Sequence, residues 1–212
     1  MTVENEGGRL NRERTPRLFG NPILESLSLG HPLAVLALWL PISLAMVAIG
    51  AAYSAGSVAA TTMVFLFGLF VWTGFEYVMH RYLFHLNGGH PVIKRLVFVM
   101  HGIHHASPQD PSRSVMPPAA ALLIASVLYV ALCLVTDFGA RDIAFGGFLF
   151  GYVCYDLTHH ACHHWPMKGR LLATLKRNHL LHHNIDGTAN FGVSSPLWDM
   201  IFGSKIDLKR QS

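Results

Sequence analysis

Twelve of the fourteen histidines in this 212-residue chain fall into four tight clusters. They read His80-Arg81-Tyr82-Leu83-Phe84-His85, His101-Gly102-Ile103-His104-His105, His159-His160-Ala161-Cys162-His163-His164 and His179-Leu180-Leu181-His182-His183. Neutral imidazole is a common ligand for transition metals, and every cluster has metal-ligand spacing. Ten or more imidazoles are too many for one ion, so two ions are the natural reading. A loosely binding histidine tract would be polar and low in complexity. These clusters instead sit in separate segments rich in apolar residues.

Helices would have to position them. Residues three or four apart share a helix face. His101 with His104 and His105 meets that condition, as does His179 with His182 and His183. In the third cluster, His159 with His163 and His160 with His164 are both four apart. One pair can point at the metals, and the other is rotated by about 100°. His80 and His85 are five apart, so a straight α-helix does not align them, and they are expected to straddle a helix end. His31 and His90 each precede a proline, which favours an extended or turn position. Both read as surface or cap residues.

Two carboxylates lie beside the clusters. Glu76 is four residues before His80, and Asp156 is three before His159. An ionisable residue inside a membrane segment is a functional hypothesis by default. The expected role is to accept the second ring N–H of a ligand histidine and fix its orientation. On that reading, Glu76→Gln impairs turnover more than folding.

The chain is 51% hydrophobic and 13% charged, with mean hydropathy +0.36. Soluble domains carry about 25% charged residues, so this composition reads as a membrane protein. Apolar runs cover about residues 32–53, 58–79, 117–135 and 143–157. The first three approach the roughly 20 residues a helix needs to cross a bilayer. The fourth is short and carries Asp156. With the N-terminus in the cytoplasm, only Arg141 of the 16 lysines and arginines falls outside, as the positive-inside rule prefers. The fold expected is all-α: about four transmembrane helices in two hairpins, with a cytoplasmic histidine-rich metal cap. Residues 1–25 form a polar segment with Arg9, Arg12, Arg14 and Arg17 and no signal-peptide pattern. Residues 26–212 form the membrane-embedded catalytic domain. Segment 86–100 reads equally as a short interfacial helix or a buried one. Basic residues beside apolar spans make nucleic acid a poor partner, and the chain has no glycine-rich phosphate loop and no GxSxG. Cys133, Cys154 and Cys162 are too few and too scattered for a disulfide framework.

The boxes resemble those of the fatty acid hydroxylase superfamily of histidine-box membrane enzymes. The 2-hydroxylase branch is matched by Tyr155-Asp156-Leu157-Thr158-His159 and by the tail from Phe191-Gly192-Val193 to Pro196-Leu197-Trp198-Asp199. The resemblance runs over about residues 60–205. It implies ten metal ligands: His80, His85, His101, His104, His105, His159, His163, His179, His182 and His183. It selects the 159/163 pair, and His160 stands where relatives commonly carry an aromatic. It also implies two iron ions, O2 and an external electron donor such as cytochrome b5 or ferredoxin. The implied reaction is monooxygenation of a lipid: a fatty acid, acyl-CoA or ceramide. Zinc can replace iron in purified protein. Phe67, Phe70, Trp72, Phe145, Phe148 and Phe150 are candidate walls of an acyl tunnel. Competing readings are a sterol or carotenoid oxidase, a zinc hydrolase and a metal-binding membrane transporter. The last would need metal sites along a path between both faces, whereas these clusters gather on one side.

Overall fold

The computed structural model describes residues 17–86 and 88–206, and Arg9, Arg12 and Arg14 lie outside them. Helices follow in the order α1 (Pro22–Leu27), α2 (Pro32–Ser54), α3 (Val58–Val78), α4 (Pro91–Val97), α5 (Ile103–Ala106), α6 (Pro118–Cys133), α7 (Ala140–His164), α8 (Arg170–Asn184) and α9 (Leu197–Ile201). A π-helical turn, Met79–Phe84, continues α3, and another, Phe98–Gly102, joins α4 to α5. No strand occurs among the described residues.

The helix starts follow local chemistry. His31 Nδ1 accepts from the Leu33 N–H at 3.1 Å, and His90 Nδ1 accepts from the Val92 N–H at 3.3 Å. Each caps a helix whose first residue is proline, a position where the missing N–H costs nothing. Both histidines are therefore caps and lie outside the metal clusters. Ser57 caps α3 through the Ala60 N–H.

Three segments are long and apolar enough to cross a membrane: Pro32–Ser54, Val58–Phe84 and Pro111–Cys133. Only 22%, 11% and 11% of their apolar windows are buried by protein, so most of that surface needs an apolar solvent. α7 is built differently. Its buried residues run from Asp142 to Cys162. Its 25 residues give about 37 Å of helix, enough to cross, but glycines and polar residues dilute its hydropathy. They are tolerated because α7 faces protein on most sides.

That placement changes the hairpin arrangement. α7 runs between α2 and α3 and packs along both, while α2 and α3 touch each other only sparsely. Trp39 of α2 and Trp72 of α3 both meet Tyr152 of α7, with ring centroids 5.5 Å apart. Ser43 Oγ of α2 donates to the Gly146 carbonyl of α7 at 2.7 Å. At the end far from the histidines, Tyr53 and Phe138 meet edge to face. α8 packs back on the end of α7, and α9 docks on α3 through a Trp198 Nε1–H bond to Thr73 Oγ1. α4 buries none of its residues, and Val92 and Leu96 are more than half exposed. Of the two readings of segment 86–100, the exposed one describes α4, and burial begins only at His101.

Candidate dimetal site

The ten histidines converge as two groups of five. His80, His85, His101, His105 and His182 form one, and His104, His159, His163, His179 and His183 form the other. Within each group the ligand-capable atoms lie within 4.8 Å of one another. The second and fourth clusters each divide between the groups. His101 and His105 enter the first and His104 the second, while His179 and His183 enter the second and His182 the first. The groups adjoin through the stacked rings of His105 and His183, 4.1 Å apart.

The first cluster straddles a helix end, as expected: His80 lies in the π-helical turn that continues α3, and His85 caps the end of that turn. A π-helix advances by i→i+5 hydrogen bonds, so five-residue spacing puts two side chains on one face. The turn Met79–Phe84 supplies that geometry, and His80 and His85 ring centroids stand 5.1 Å apart.

The spacing and tautomers fit cations. In the first group Nε2 atoms lie 3.1 Å apart for His80–His101, 2.9 Å for His101–His105, 3.2 Å for His105–His182 and 3.1 Å for His182–His85. In the second, His163–His179 is 2.8 Å and His104–His183 is 3.1 Å. Two nitrogens about 2.0–2.1 Å from one ion and about 90° apart would be about 2.9 Å apart. His80 Nδ1–H donates to the Phe191 carbonyl at 2.6 Å, and His182 Nδ1–H donates to the Ala189 carbonyl at 2.7 Å. A carbonyl only accepts, so each neutral ring turns a bare Nε2 lone pair inward. Burial, reinforced by neighbouring imidazoles, lowers His85 to about 4 and His105 to about 3. Burial also holds His101, His104 and His179 well below the usual histidine range. The cluster is neutral at physiological pH, the form that ligates metal.

Glu76 and Asp156 do other work than expected, because neither carboxylate bonds a histidine. Glu76 accepts from the Val193 and Ser194 N–H groups at 2.7 and 2.8 Å and from Ser194 Oγ. It thereby anchors the loop whose Phe191 carbonyl orients His80. Asp199 grips the same loop, accepting from the Phe191 and Gly192 N–H groups at 2.9 and 2.8 Å. Asp156 accepts from the Met116 N–H at 3.1 Å and so fixes the entry to α6. The backbone of Ala189 and Phe191 thus takes the part expected of side chains. Only the tail Phe191–Asp199 hinted at it in the sequence. Glu76→Gln keeps one acceptor but weakens the anchor. The expected result is metal affinity lower by about 10-fold or more, measured by chelator competition, with the helical circular dichroism unchanged. Unchanged metal affinity would leave Glu76 a purely structural residue.

His160 and His164 fall outside both groups. His160 Nδ1 is 2.7 Å from Ser114 Oγ, and its ring packs on His164 and Trp165. His160→Tyr should lose at most the about 1 kcal/mol of one hydrogen bond and keep the metal content of the parent protein, as read by elemental analysis. A fall in metal would make His160 a ligand. Cys162 is fully buried and also outside both groups.

Beside the second group, an apolar cavity is walled by Trp72, Phe75, Phe148, Tyr152 and Tyr155. Trp72, Phe145 and Phe148 are buried, Phe67 borders an outer groove, Phe70 packs on Trp198 and Phe150 lies against Phe65. The candidate tunnel walls therefore split between cavity and periphery.

Comparison with known proteins agrees with this geometry. A family model described as fatty acid hydroxylase matches residues 65–204. The ceramide very long chain fatty acid hydroxylase scs7 of Schizosaccharomyces pombe is 38% identical over 193 residues, covering 89% of this chain and 54% of that protein. The dihydroceramide fatty acyl 2-hydroxylase FAH2 of Arabidopsis thaliana is 34% identical, covering 92% and 81%. The fatty acid 2-hydroxylase of Homo sapiens is 41% identical over 141 residues, covering 65% and 38%. The chain thus spans about half the length of the fission yeast relative. A solved structure of full-length scs7p, with only the hydroxylase domain visible, superposes with TM-score 0.83 at 33% identity, covering 89% of this chain and 71% of that one. Two histidine pentads on an all-helical frame, matched by family, sequence and structure alike, make this chain a member of the fatty acid hydroxylase family.

Proposed function

We propose that the chain is an O2-dependent membrane hydroxylase that places a hydroxyl on C2 of a fatty acyl chain. The observation that carries this is the pair of five-imidazole groups beside an apolar cavity. Two iron ions held by the ten histidines would supply the O2 chemistry, and the all-nitrogen ligand sets suit iron, with zinc able to displace it. One O2, two electrons and two protons yield the hydroxylated lipid and one water, so an external donor such as cytochrome b5 or ferredoxin is required.

The chain's own residues do the rest. Phe191 and Ala189 carbonyls hold ligand tautomers, Glu76 and Asp199 hold that loop, and the apolar walls of the cavity exclude water. The names of the relatives support an acyl substrate, since the Arabidopsis protein is called a fatty acyl 2-hydroxylase. We place residues 26–212 as one catalytic unit with four crossing helices, α7 being the fourth. The histidine end faces the cytoplasm, which the lysine and arginine distribution favours.

The test is mass spectrometry of hydrolysed lipids from a host that lacks 2-hydroxy acids and co-expresses an electron donor. A 2-hydroxy acid that appears with the chain and needs O2 is the expected result. Its absence from iron-loaded, folded protein supplied with donor would shift the substrate to sterols or carotenoids.

A further inference from the structure

Arg113 ends a short turn, Pro111–Arg113, that leads into α6. It is 7% exposed. A guanidinium offers five N–H donors in a fixed fork. Nη1 of Arg113 donates to the Ser28 carbonyl at 3.0 Å and to Ser28 Oγ at 2.9 Å, and Nη2 donates to Glu25 Oε1 at 2.5 Å. These bonds tie α1 to the turn. The Nε–H is buried and has no partner among the described residues, and such a group calls for an acceptor.

Arg113 also walls a small cavity together with His101, His104, His159, Tyr155 and Asp156. Its volume is about 20 Å³, room for roughly one water-sized group. Phe84, Met116 and Tyr155 border both this chamber and the larger apolar cavity beside it. Three of the ten histidines and a buried donor thus share one polar chamber whose neighbour is apolar.

We infer that the Arg113 Nε–H receives the acyl carbonyl oxygen of the substrate and thereby selects C2 for reaction. The inference rests on the hydroxylase reading and names the residue that sets its position. C2 is the carbon bonded to the carbonyl. Holding the oxygen in the chamber keeps C2 in the space that the histidines wall, and the later carbons pass Phe84 and Met116 into the apolar cavity. The reverse orientation would bring the methyl end to the histidines and leave the Nε–H unpaired. Glu25 balances the guanidinium charge, and Asp156 adds a carboxylate to the same walls. That suits a neutral carbonyl oxygen better than an anion. The two duties of Arg113 are separable, since the Nη atoms hold α1 and Nε serves the substrate.

Binding to the full chain in nanodiscs tests this without turnover. The probes are the ethylene glycol monoester of hexadecanoic acid and the matching monoether, in which a methylene replaces the carbonyl. Each competes with a fluorescent acyl lipid. The parent chain should bind the ester about tenfold more tightly than the ether. Arg113→Lys puts a methylene where Nε stands and keeps a positive charge beside Glu25. It should bind the two probes within about twofold of each other. Glu25→Gln weakens the tie to α1, leaves Nε in place and should keep the tenfold preference. A parent chain that binds both probes alike overturns the inference whatever the variants do. So does a preference that survives Arg113→Lys, or one that Glu25→Gln loses equally.

Product position gives a second reading. Arg113→Lys should raise the share of 3-hydroxy acid about fivefold or more, because a small misplacement of the chain presents the next carbon. Glu25→Gln should leave that share unchanged. Product confined to C2 in Arg113→Lys overturns the selection of C2. A parent chain that hydroxylates no acyl lipid would sink the hydroxylase reading, and the ester–ether comparison would still decide whether Arg113 takes a carbonyl.

Discussion

His182→Ala should remove one of the two metals and abolish hydroxylation, while the second metal stays. His182 is fully buried, and its Nε2 lies 3.1 Å from that of His85 and 3.2 Å from that of His105. It therefore closes the ring of the first group and has no place in the second. Altering residues that only orient ligands costs about 10–100-fold in metal affinity or activity, and deleting a ligand should exceed that. Elemental analysis of purified protein is expected to fall from two metals per chain to about one. His179→Ala is the mirror experiment, because His179 belongs to the second group alone. Each variant should keep the metal that the other loses. Two metals retained in His182→Ala with full turnover would remove His182 from the ligand set. Loss of both metals together would mean that the groups form one cooperative unit through the stacked His105 and His183.

Much of this site was legible because the ligands announce themselves by residue type, and histidine clusters are rare enough to be noticed. The division into pentads was less visible, yet it follows from helix geometry. Successive residues point about 100° apart, so His104 and His105, or His182 and His183, must serve different groups. The His80–His85 pair failed as an α-helical pattern because the backbone there is a π-turn, and only the five-residue spacing signals it. The carboxylates were misplaced for a different reason. Glu76 sits one turn from His80, which suggests contact, but the loop at 189–194 comes between them with its backbone. Backbone N–H and C=O groups occur at nearly every residue and leave no mark on the sequence. α7 was underestimated because hydropathy measures solvent by lipid, and this helix is buried by protein.

The consequence of that burial is a large stability effect at a residue with no chemistry. Gly147→Val should prevent accumulation of folded protein. A Cβ at Gly147 would lie 2.1 Å from the Phe65 carbonyl oxygen and 3.2 Å from the Leu69 nitrogen of α3. Both obstacles are main-chain atoms of a helix, so no side-chain rotation relieves the clash. Gly68 across the interface is equally tight, with the Ala144 carbonyl 1.8 Å from the position of its Cβ. Inserting carbon into such contacts costs about 1–3 kcal/mol where a core can give, and more where it cannot. Parting α3 from α7 would also pull His80 away from His159 and His163, so whatever folds should bind less metal. Gly89→Val is the matched control, since nothing lies within 4 Å of the corresponding Cβ. Fluorescence-detected size exclusion of detergent extracts, with a thermal ramp, separates the two. Equal monodisperse yield and melting for both variants would mean that α3 and α7 can part without loss, and that the histidines are held together by their loops and metals instead of by this glycine-lined contact.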